Sequence, residues 1–306
     1  MLKFINLTVY LVLLVIFLIL SACSINQSLL DSSRNGEEAS QEAQLKKYYS
    51  QLEERKISLG LLRQDGGGTD TPFDVNDIVE AFEQLAFYNE YSVDENKLLP
   101  KPKPVNLTKW MSNTNISVRF GNSINRQQKN KDLRDINSLI RTLSKATNHN
   151  INITEQNVNM YIVIANQKEI RRLITEISLL RPEFDPKNFP IIIQLPIDIH
   201  CIAMSSISGA TKPEISSSLV IIRNELPNLM RKACIHEEVA QSLGLTNDSH
   251  LARPSIFNDD DEFATLTKFD EILLQILYDH RLNSGISKRE ASQLVRQIAN
   301  EINIDL

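Results

Sequence analysis

The residues most able to carry chemistry lie in one short stretch, His236–Asp248, which reads H-E-E-V-A-Q-S-L-G-L-T-N-D. Glu237 and Gln241 are four residues apart, so a helix would place both side chains on one face, where they can grip one ion. Glu238 lies beside the first of them, in the position to hold a water as a general base. A glycine then lets the chain turn sharply, so that Asn247 can swing back as a third ligand.

This spacing resembles the H-E-x-x-H-x-x-G-x-x-H motif of the metzincin zinc peptidases, with its three histidines replaced. Glu237, Gln241 and Asn247 stand at the ligand positions, and Glu238 stands at the catalytic one. These ligand positions offer hard oxygen atoms, whereas catalytic zinc in this geometry takes imidazole nitrogen. The resemblance therefore implies a degenerate polar cluster and no cofactor. A hard divalent metal such as calcium, magnesium or manganese is the alternative.

Two neighbouring features could also bind a metal. His236 imitates the start of H-E-x-x-H, but the residue four positions on is Ala240, which has no donor. His236 could join His250 in a separate site, although an isolated histidine is more often a core or surface residue. The acidic run Asn258–Glu262 lacks the glycine and the order of a calcium loop, so we expect a solvated loop there.

Several segments outside this stretch carry a wider resemblance. Residues 266–278 resemble the L-S-x-x-D-(x)4-Q-x-L-Y segment of matrixin-type metzincins, and Pro254–Phe257 occupies the region of their methionine turn. Other characteristic segments are Gly60–Gly68, Lys109–Trp110, Glu237–Asp248 and Leu277–Leu282. Together they resemble the bacterial lipoproteins of domain-of-unknown-function family 2927. That family is itself similar to the zinc peptidases and has no established activity, so the resemblance implies a fold and an envelope location only.

The N terminus has the features of a lipoprotein signal peptide. An uncharged, apolar run, Phe4–Leu20, follows one lysine and is shorter than a comfortable membrane span. The tetrapeptide L-S-A-C that ends at Cys23 resembles the bacterial lipobox, which implies lipidation of Cys23 and removal of residues 1–22. Ser24 resembles the signal for release to the outer membrane. An uncleaved N-terminal membrane anchor is the alternative. Both arrangements place the rest of the protein outside the cytoplasm. We expect it to be anchored in the outer membrane and to face the periplasm.

Two cysteines remain after this segment, Cys201 and Cys234. In an oxidising compartment two otherwise lone cysteines most simply form a disulfide. The bridge would tie the strand around Asp198–Met204 to the helix that carries Glu238. Metal ligation by the pair is the alternative, although no C-x-x-C or nearby Cys/His spacing supports it.

The composition divides the chain into three parts. The signal peptide is followed by a polar, flexible tether with a short helix over residues 23–72, which contains the glycine-rich break Gln64–Pro72. Residues 73–306 form the domain. The net charge of −5 and the lack of a long basic stretch exclude nucleic acid as an expected partner.

Apolar periodicity in the third part predicts an α+β domain. Helices are predicted over residues 74–91, 132–146, 167–180 and 224–243, and strands or extended segments over residues 116–120, 159–165, 189–203 and 216–223. This order resembles the upper subdomain of a metzincin (zincin). We therefore expect a mixed, twisted sheet backed by helices, an active-site-type helix at 224–243 and a smaller helical C-terminal part.

These features favour a lipid-anchored envelope protein with a degenerate, non-catalytic metallopeptidase-like domain that acts as a binding or scaffold module. Its expected partners are the membrane, through the lipid, and an extended polypeptide or an envelope protein; the polypeptide would bind along the edge strand near Asp198–Met204. One alternative is a metal-dependent hydrolase with Glu238 as general base and Glu237, Gln241 and Asn247 as ligands. A purely structural spacer is the other alternative.

Overall fold

The computed structural model describes residues 39–302, except residues 91, 95–96, 100–101, 211 and 259. The chain divides into two compact units, Met1–Tyr48 and Tyr49–Leu306. In the first unit, residues 39–48 are helical. The predicted signal peptide, Cys23 and the first part of the predicted tether lie outside the described residues. Among the described residues, no helix has the length and apolar character needed to cross a membrane.

A five-stranded mixed sheet forms the centre of the second unit. Its strands are β5 (Thr114–Phe120), β6 (Ile151–Ile153), β7 (Met160–Ala165), β8 (Cys201–Ser208) and β9 (Glu214–Arg223); two short pairs precede them, β1 (Tyr88–Asn89) with β4 (Lys103–Pro104), and β2 (Ser92–Asp94) with β3 (Lys97–Leu99). The order is β6-β5-β7-β9-β8, with β8 antiparallel and the other pairs parallel. Strand β7 is buried along its whole length, as expected for a central parallel strand covered on both faces.

Helices surround this sheet and extend beyond it. They are α1 (residues 49–58), α2 (Val75–Ala86), α3 (Arg126–Thr147), α4 (Gln167–Ser178), α5 (Asn228–Gln241), α6 (Lys268–Leu277) and α7 (Lys288–Glu301). On one face of the sheet, α4 packs its apolar side against alternate residues of β7, including Tyr161, Val163 and Ala165, which share a face as predicted. On the C-terminal side, α2, α6 and α7 pack together, and each begins with a capping box that satisfies its first N–H groups.

The predicted α+β class and mixed sheet are confirmed, and the element boundaries differ at four main places. The helix predicted over residues 74–91 ends at Ala86, and Tyr88–Asn89 instead pair with β4 as strand β1. Helix α3 begins at Arg126 because the side chain of Asn125 caps it, and its first turn is too polar to show a hydrophobic period. Helix α5 is shorter than the predicted helix 224–243, because Pro227 occupies its N-cap and Gln241 is its last residue. In the extended segment 189–203 only the last residues are strand, since a short 3₁₀ turn and Pro196 precede β8.

The predicted disulfide between Cys201 and Cys234 is confirmed, with the two Cα atoms 5.9 Å apart. Cys201 is the first residue of β8, and Cys234 lies in the middle of α5. The bridge therefore fixes the edge strand of the sheet to the helix that carries Glu237, Glu238 and Gln241.

Arg223 fixes the chain just before β8. Its side chain is almost fully buried, at 1% exposure, and its guanidinium donates to the carbonyl oxygens of Ile199 at 2.9 Å and Pro196 at 2.8 Å, and to Oε1 of Gln167 at 3.0 Å. These bonds satisfy a buried cation with neutral acceptors. The path of the segment that enters β8 is thus set by one side chain at the end of β9.

Replacing both disulfide cysteines with alanine is expected to lower the free energy of unfolding by about 3–4 kcal/mol, because the bridge restricts the unfolded chain. Urea denaturation of the double variant and of the wild-type protein, each with and without a reducing agent, measures this difference. The reducing agent should destabilise the wild-type protein and leave the variant unchanged. Equal stability of the two proteins under oxidising conditions would contradict a stabilising bridge.

Candidate functional site

A cleft with a cavity of about 460 Å³ lies beside β8 and α5. One wall is β8, from Cys201 to Ile207, and α5 contributes Glu237, Glu238 and Gln241. Segments that precede the sheet in the sequence add Asn89, Glu90, Val105, Asn106 and Thr108, and further lining comes from residues 189–200, from the turn after α5 and from Asp261. The cleft is thus lined by an edge strand and by the motif helix, which the disulfide holds together.

Glu237 and Glu238 are the central polar groups of this cleft. Glu238 is only 6% exposed, and Glu237 is half-buried. Donor atoms of both side chains and the Sγ of Cys201 all lie within 4.8 Å of one another. That sulfur is bonded to Cys234, so it is not a thiolate ligand in the oxidised protein. Two adjacent carboxyl groups, one buried and one half-buried, therefore share one part of the cleft.

Burial raises the pKa of the Glu237 carboxyl well above its usual value of 4.5. The negative charges of Glu238, Asp261 and Glu90 add to the rise, and the ammonium of Lys56 opposes it. Like charges that share a site cannot both ionise freely. Both burial and the neighbouring negative charges therefore make the ionised form of Glu237 unfavourable unless a cation compensates it.

Burial also raises the pKa of Glu238 well above 4.5, with further contributions from the charges of Glu90 and Asp248. The main-chain N–H of Ala203, on β8, donates a hydrogen bond to Glu238 and opposes this rise. A carboxyl with a raised pKa can act as a proton donor or acceptor near neutrality. This contact links α5 to a main-chain N–H group of the edge strand β8.

The structure brings only part of the predicted ligand set together. Gln241 lines the cleft, and its Nε2 donates to Oδ1 of Asp248 at 2.7 Å. Asn247 is buried and does not line the cleft; its Nδ2 donates to the carbonyl oxygen of Gln84 at 3.1 Å. Glu237, Glu238 and Gln241 thus face one space, whereas Asn247 is directed to another. Asp248, the following residue, lies on the cleft instead.

The turn after α5 explains this placement. Gly244 has φ +126°, and a Cβ there would lie 2.3 Å from the carbonyl oxygen of Thr108, so only glycine fits. Two residues later, the N–H of Thr246 donates to the carbonyl oxygen of Leu85 at 3.0 Å. This bond joins the loop to α2, and Asn247 follows it toward that helix. The chain turns sharply at Gly244, as predicted, but the side chain that this turn brings to the cleft is that of Asp248 and not that of Asn247.

The donors at this place do not fit catalytic zinc, which in such sites takes imidazole nitrogen and keeps one position for water. His236, on the same helix, uses Nδ1 to accept the N–H of Leu266 at 3.1 Å, and burial lowers its pKa to about 3. His250 is exposed. The alternative site formed by His236 and His250 therefore has no support in the contacts of His236.

The acidic run is solvent-exposed at Asp260 and Asp261, as predicted for a solvated loop, and cations from other parts of the sequence pair with it. Lys56 pairs with Asp261, and Glu262 accepts hydrogen bonds from Arg63 at 2.9 Å and from Arg253 at 2.6 Å. The main chain also pairs at this place, with an isolated bridge between residues 63 and 263. Asp261, which belongs to this run, also lines the cleft.

Sequence reasoning missed four of the carboxylates that line the cleft: Glu90, Asp198, Asp248 and Asp261. Asp248 directly follows the predicted Asn247, so the motif itself pointed near it. The other three belong to separate loops and elements, and no spacing in the sequence relates them. With Glu237 and Glu238 they make six lining carboxylates, and among the described residues that line the cleft there is no Lys or Arg.

The turn predicted at the methionine-turn region is held by one buried carboxylate. Asp270 accepts hydrogen bonds from Oγ of Ser255 at 2.5 Å, from the N–H of Ile256 at 3.2 Å and from the N–H of Thr267 at 2.8 Å. Burial raises the pKa of Asp270 to about 6 despite these donors. The network joins this turn to the first residues of α6.

A family model described as "Protein of unknown function (DUF2927)" matches residues 75–297. The matched region contains the whole sheet, α5 and the cleft residues Glu237, Glu238 and Gln241. No curated protein and no solved structure matches the chain.

Replacing Glu237 or Glu238 with glutamine is expected to raise the free energy of unfolding at pH 7–8 by about 0.5–2 kcal/mol, as is common for relief of a strained functional site. Below pH 4.5 both the folded and the unfolded carboxyl are protonated. Above it the unfolded carboxyl ionises while the folded one keeps its proton, so the stability of the wild-type protein falls as the pH rises toward the raised pKa.

Urea denaturation from pH 4 to pH 8 measures this effect, and the glutamine variants should show a flatter profile than the wild-type protein. Glu80→Gln, at an exposed carboxylate of α2, is the matched control and should follow the wild-type protein. Glutamine variants that are less stable than the wild-type protein at pH 8 would show that the two carboxylates are satisfied, not strained.

Proposed function

Because the chain belongs to the DUF2927 family, whose description names no activity, we propose a function from the cleft: the domain binds an extended polypeptide along the open edge of β8. The observation that carries the proposal is an edge strand with an adjacent cavity. Within the described part of the chain, β8 pairs with β9 on one side and with no strand on the other. A peptide can add to such an edge through main-chain hydrogen bonds alone.

The pattern of hydrogen bonds tells which groups of β8 are available. The N–H of Arg223 donates to the carbonyl oxygen of His200 at 3.4 Å, so this opposed pair bonds across the two strands. Bonded and non-bonded pairs alternate along an antiparallel ladder. Ile202 and Met204 therefore direct their main-chain groups toward β9, whereas Ala203 and Ser205 direct theirs outward, into the cleft.

The metzincin-like character of the domain also belongs to this proposal. The chain passes in order through β5, α3, β6, β7, α4, β8, β9 and α5, which supports a likeness to the upper subdomain of those peptidases. In this interpretation α5 is the former active-site helix, and its ligand positions have lost imidazole. A peptide-binding edge needs no metal, so it can persist after such a loss.

We place this domain in the bacterial cell envelope, anchored by a lipid on Cys23 to the outer membrane and facing the periplasm. The lipobox-like tetrapeptide before Cys23 supports the anchor. The Cys201–Cys234 disulfide is compatible with an oxidising compartment. In this arrangement residues 23–72 serve as the tether, and the domain of residues 73–306 acts as a binding or scaffold module near the membrane.

The alternative is a metal-dependent hydrolase with Glu238 as general base, and it receives less support. Gln241 and Asn247 are bonded to Asp248 and Gln84, so the predicted ligands do not converge on Glu237. This alternative requires purified protein to retain stoichiometric metal and Glu238→Gln to abolish hydrolysis. Elemental analysis of the protein purified with and without added divalent ions distinguishes the two functions.

Substitution Ser205→Pro is expected to weaken peptide binding at least about tenfold, because proline removes an outward N–H from the edge strand. Binding is measured by affinity selection of a degenerate hexapeptide mixture on the purified full-length protein, followed by dissociation constants for the selected peptides.

Ser205→Ala is the matched control, since it also loses the hydroxyl that bonds Ser218 at 2.9 Å but keeps the N–H. The alanine variant should bind as the wild-type protein does. Equal binding by the proline variant, with its fold intact by circular dichroism, would refute addition of a strand at this edge.

Substitution Cys23→Ser is expected to release the protein from the membrane fraction of a bacterial host and to abolish incorporation of radiolabelled palmitate, because the thiol is the proposed attachment point. A variant with serine at Cys201 and Cys234 should keep the label. Unchanged labelling of the Cys23→Ser protein would rule out the lipid anchor. It would not affect the function proposed for the cleft.

A further inference from the structure

The open edge of β8 ends at a definite residue. Ala203 directs its main-chain groups into the cleft, where its N–H lies against the carboxyl group of Glu238. The carbonyl of an added strand would need that same N–H. Regular pairing of a bound polypeptide with β8 can therefore run along Ser205 and reach the carbonyl oxygen of Ala203, and it cannot continue as a ladder beyond this point.

The edge is also covered at this end. The ring of Tyr49 packs edge-on against His200, with the ring centroids 5.5 Å apart, and its hydroxyl donates to the carbonyl oxygen of Ile197 at 2.9 Å. Lys56 lies about two turns further along α1. It pairs with Asp261, which lines the cleft. Helix α1 thus lies over the start of β8, where a longer strand would have to pass.

The closed end of the edge is strongly acidic. Glu237 and Glu238 lie there, with Glu90, Asp248 and Asp261 acting on them electrostatically. Glu238 is almost fully buried, and the described lining of the cleft offers it no Lys or Arg as a cationic partner. A buried carboxylate pair is costly unless a cation or a proton neutralises it.

A polypeptide that stops at this point presents one of its termini to the carboxylates. A C-terminal carboxylate would add a further negative charge to the site and be repelled. An α-ammonium group is positively charged and carries three N–H donors, so it can bond both the carbonyl oxygen of Ala203 and the carboxylates of Glu237 and Glu238. The negative charge of the cleft and the end of regular pairing at Ala203 therefore both favour an α-ammonium group.

We infer that the cleft binds the free N-terminus of an extended polypeptide, with the α-ammonium held by Glu237 and Glu238 and the following residues paired with β8 beyond Ala203. The inference rests on the proposed binding of a polypeptide along this edge, and it adds which part of the chain is recognised. A lysine side chain carries the same charge, but an internal residue would need the peptide to continue past Ala203, where the edge is closed.

The experiment compares three degenerate hexapeptide mixtures on the purified full-length protein. The first has a free α-amino group and no lysine, the second is the same mixture N-acetylated, and the third is N-acetylated with one lysine at each position in turn. Affinity selection identifies the bound peptides, and their dissociation constants are then measured. We expect acetylation to weaken binding at least tenfold, and lysine not to restore it.

Glu237→Gln supplies the matched test within the protein. It should weaken binding of the free peptides at least fivefold and reduce the difference between free and acetylated peptides, whereas Glu80→Gln on α2 should change neither. The glutamine variant preserves shape and is expected to fold, so a loss of binding reports the charge. Thermal unfolding of each variant verifies this.

The possible failures are distinguishable. If free and acetylated peptides bind equally well and Ser205→Pro weakens both, the polypeptide-binding function stands and recognition of the N-terminus is refuted. If the acetylated lysine mixture binds as well as the free one, an internal ammonium is the ligand and the inference is again refuted. If none of the mixtures binds, the proposed function fails together with the inference.

Discussion

The burial of two adjacent carboxylates beside an open strand edge is the constraint on which the rest of this site depends. Glu237 and Glu238 follow one another on α5, and both are turned into a cleft lined by further acids. Such a pair destabilises the protein unless something compensates it. The main-chain N–H of Ala203 offsets part of this cost by lowering the pKa of Glu238. A fold that keeps this arrangement holds a site poised for a positively charged ligand.

The surrounding elements keep the pair and the edge in a fixed relation. The disulfide joins the first residue of β8 to α5, and Arg223 fixes the segment that leads into β8. On the other side, Gly244 allows the chain to leave α5 in close contact with Thr108. Each of these contacts acts over a few ångströms, yet together they set the width of the cleft. The site is therefore built mainly on a strand and a helix that these contacts hold together.

Much of the fold could be predicted from local patterns, because α4 has a strong helical period with an Asn166 N-cap and β7 is a short, continuous apolar run. The pairing of Cys201 with Cys234 also followed, since two cysteines allow only one bridge. The boundaries of α3 and α5 did not follow, because a polar first turn and a proline cap leave no hydrophobic signal. Glu237, Glu238 and Gln241 were found through their helical spacing, which a single helix fixes.

The remainder of the site could not be predicted, because it depends on contacts between distant segments. The place of Asn247 depends on how the loop after α5 bonds to α2, and the sequence alone cannot reveal that bond. Glu90 and Asp261 approach the cleft from loops with no shared period. The ion pair between Lys56 and Asp261 likewise joins α1 to a loop that lies much later in the sequence. Long-range electrostatics of this kind is set by tertiary structure.

The most direct measurement is amide hydrogen exchange of β8, residue by residue, in the free protein and with the free-amine hexapeptide mixture. Binding at the edge should slow exchange at the outward N–H of Ser205 and leave Ile202 and Met204, already bonded to β9, as protected as before. Exchange at Ser205 that stays unchanged while peptide is bound would contradict polypeptide binding along this strand.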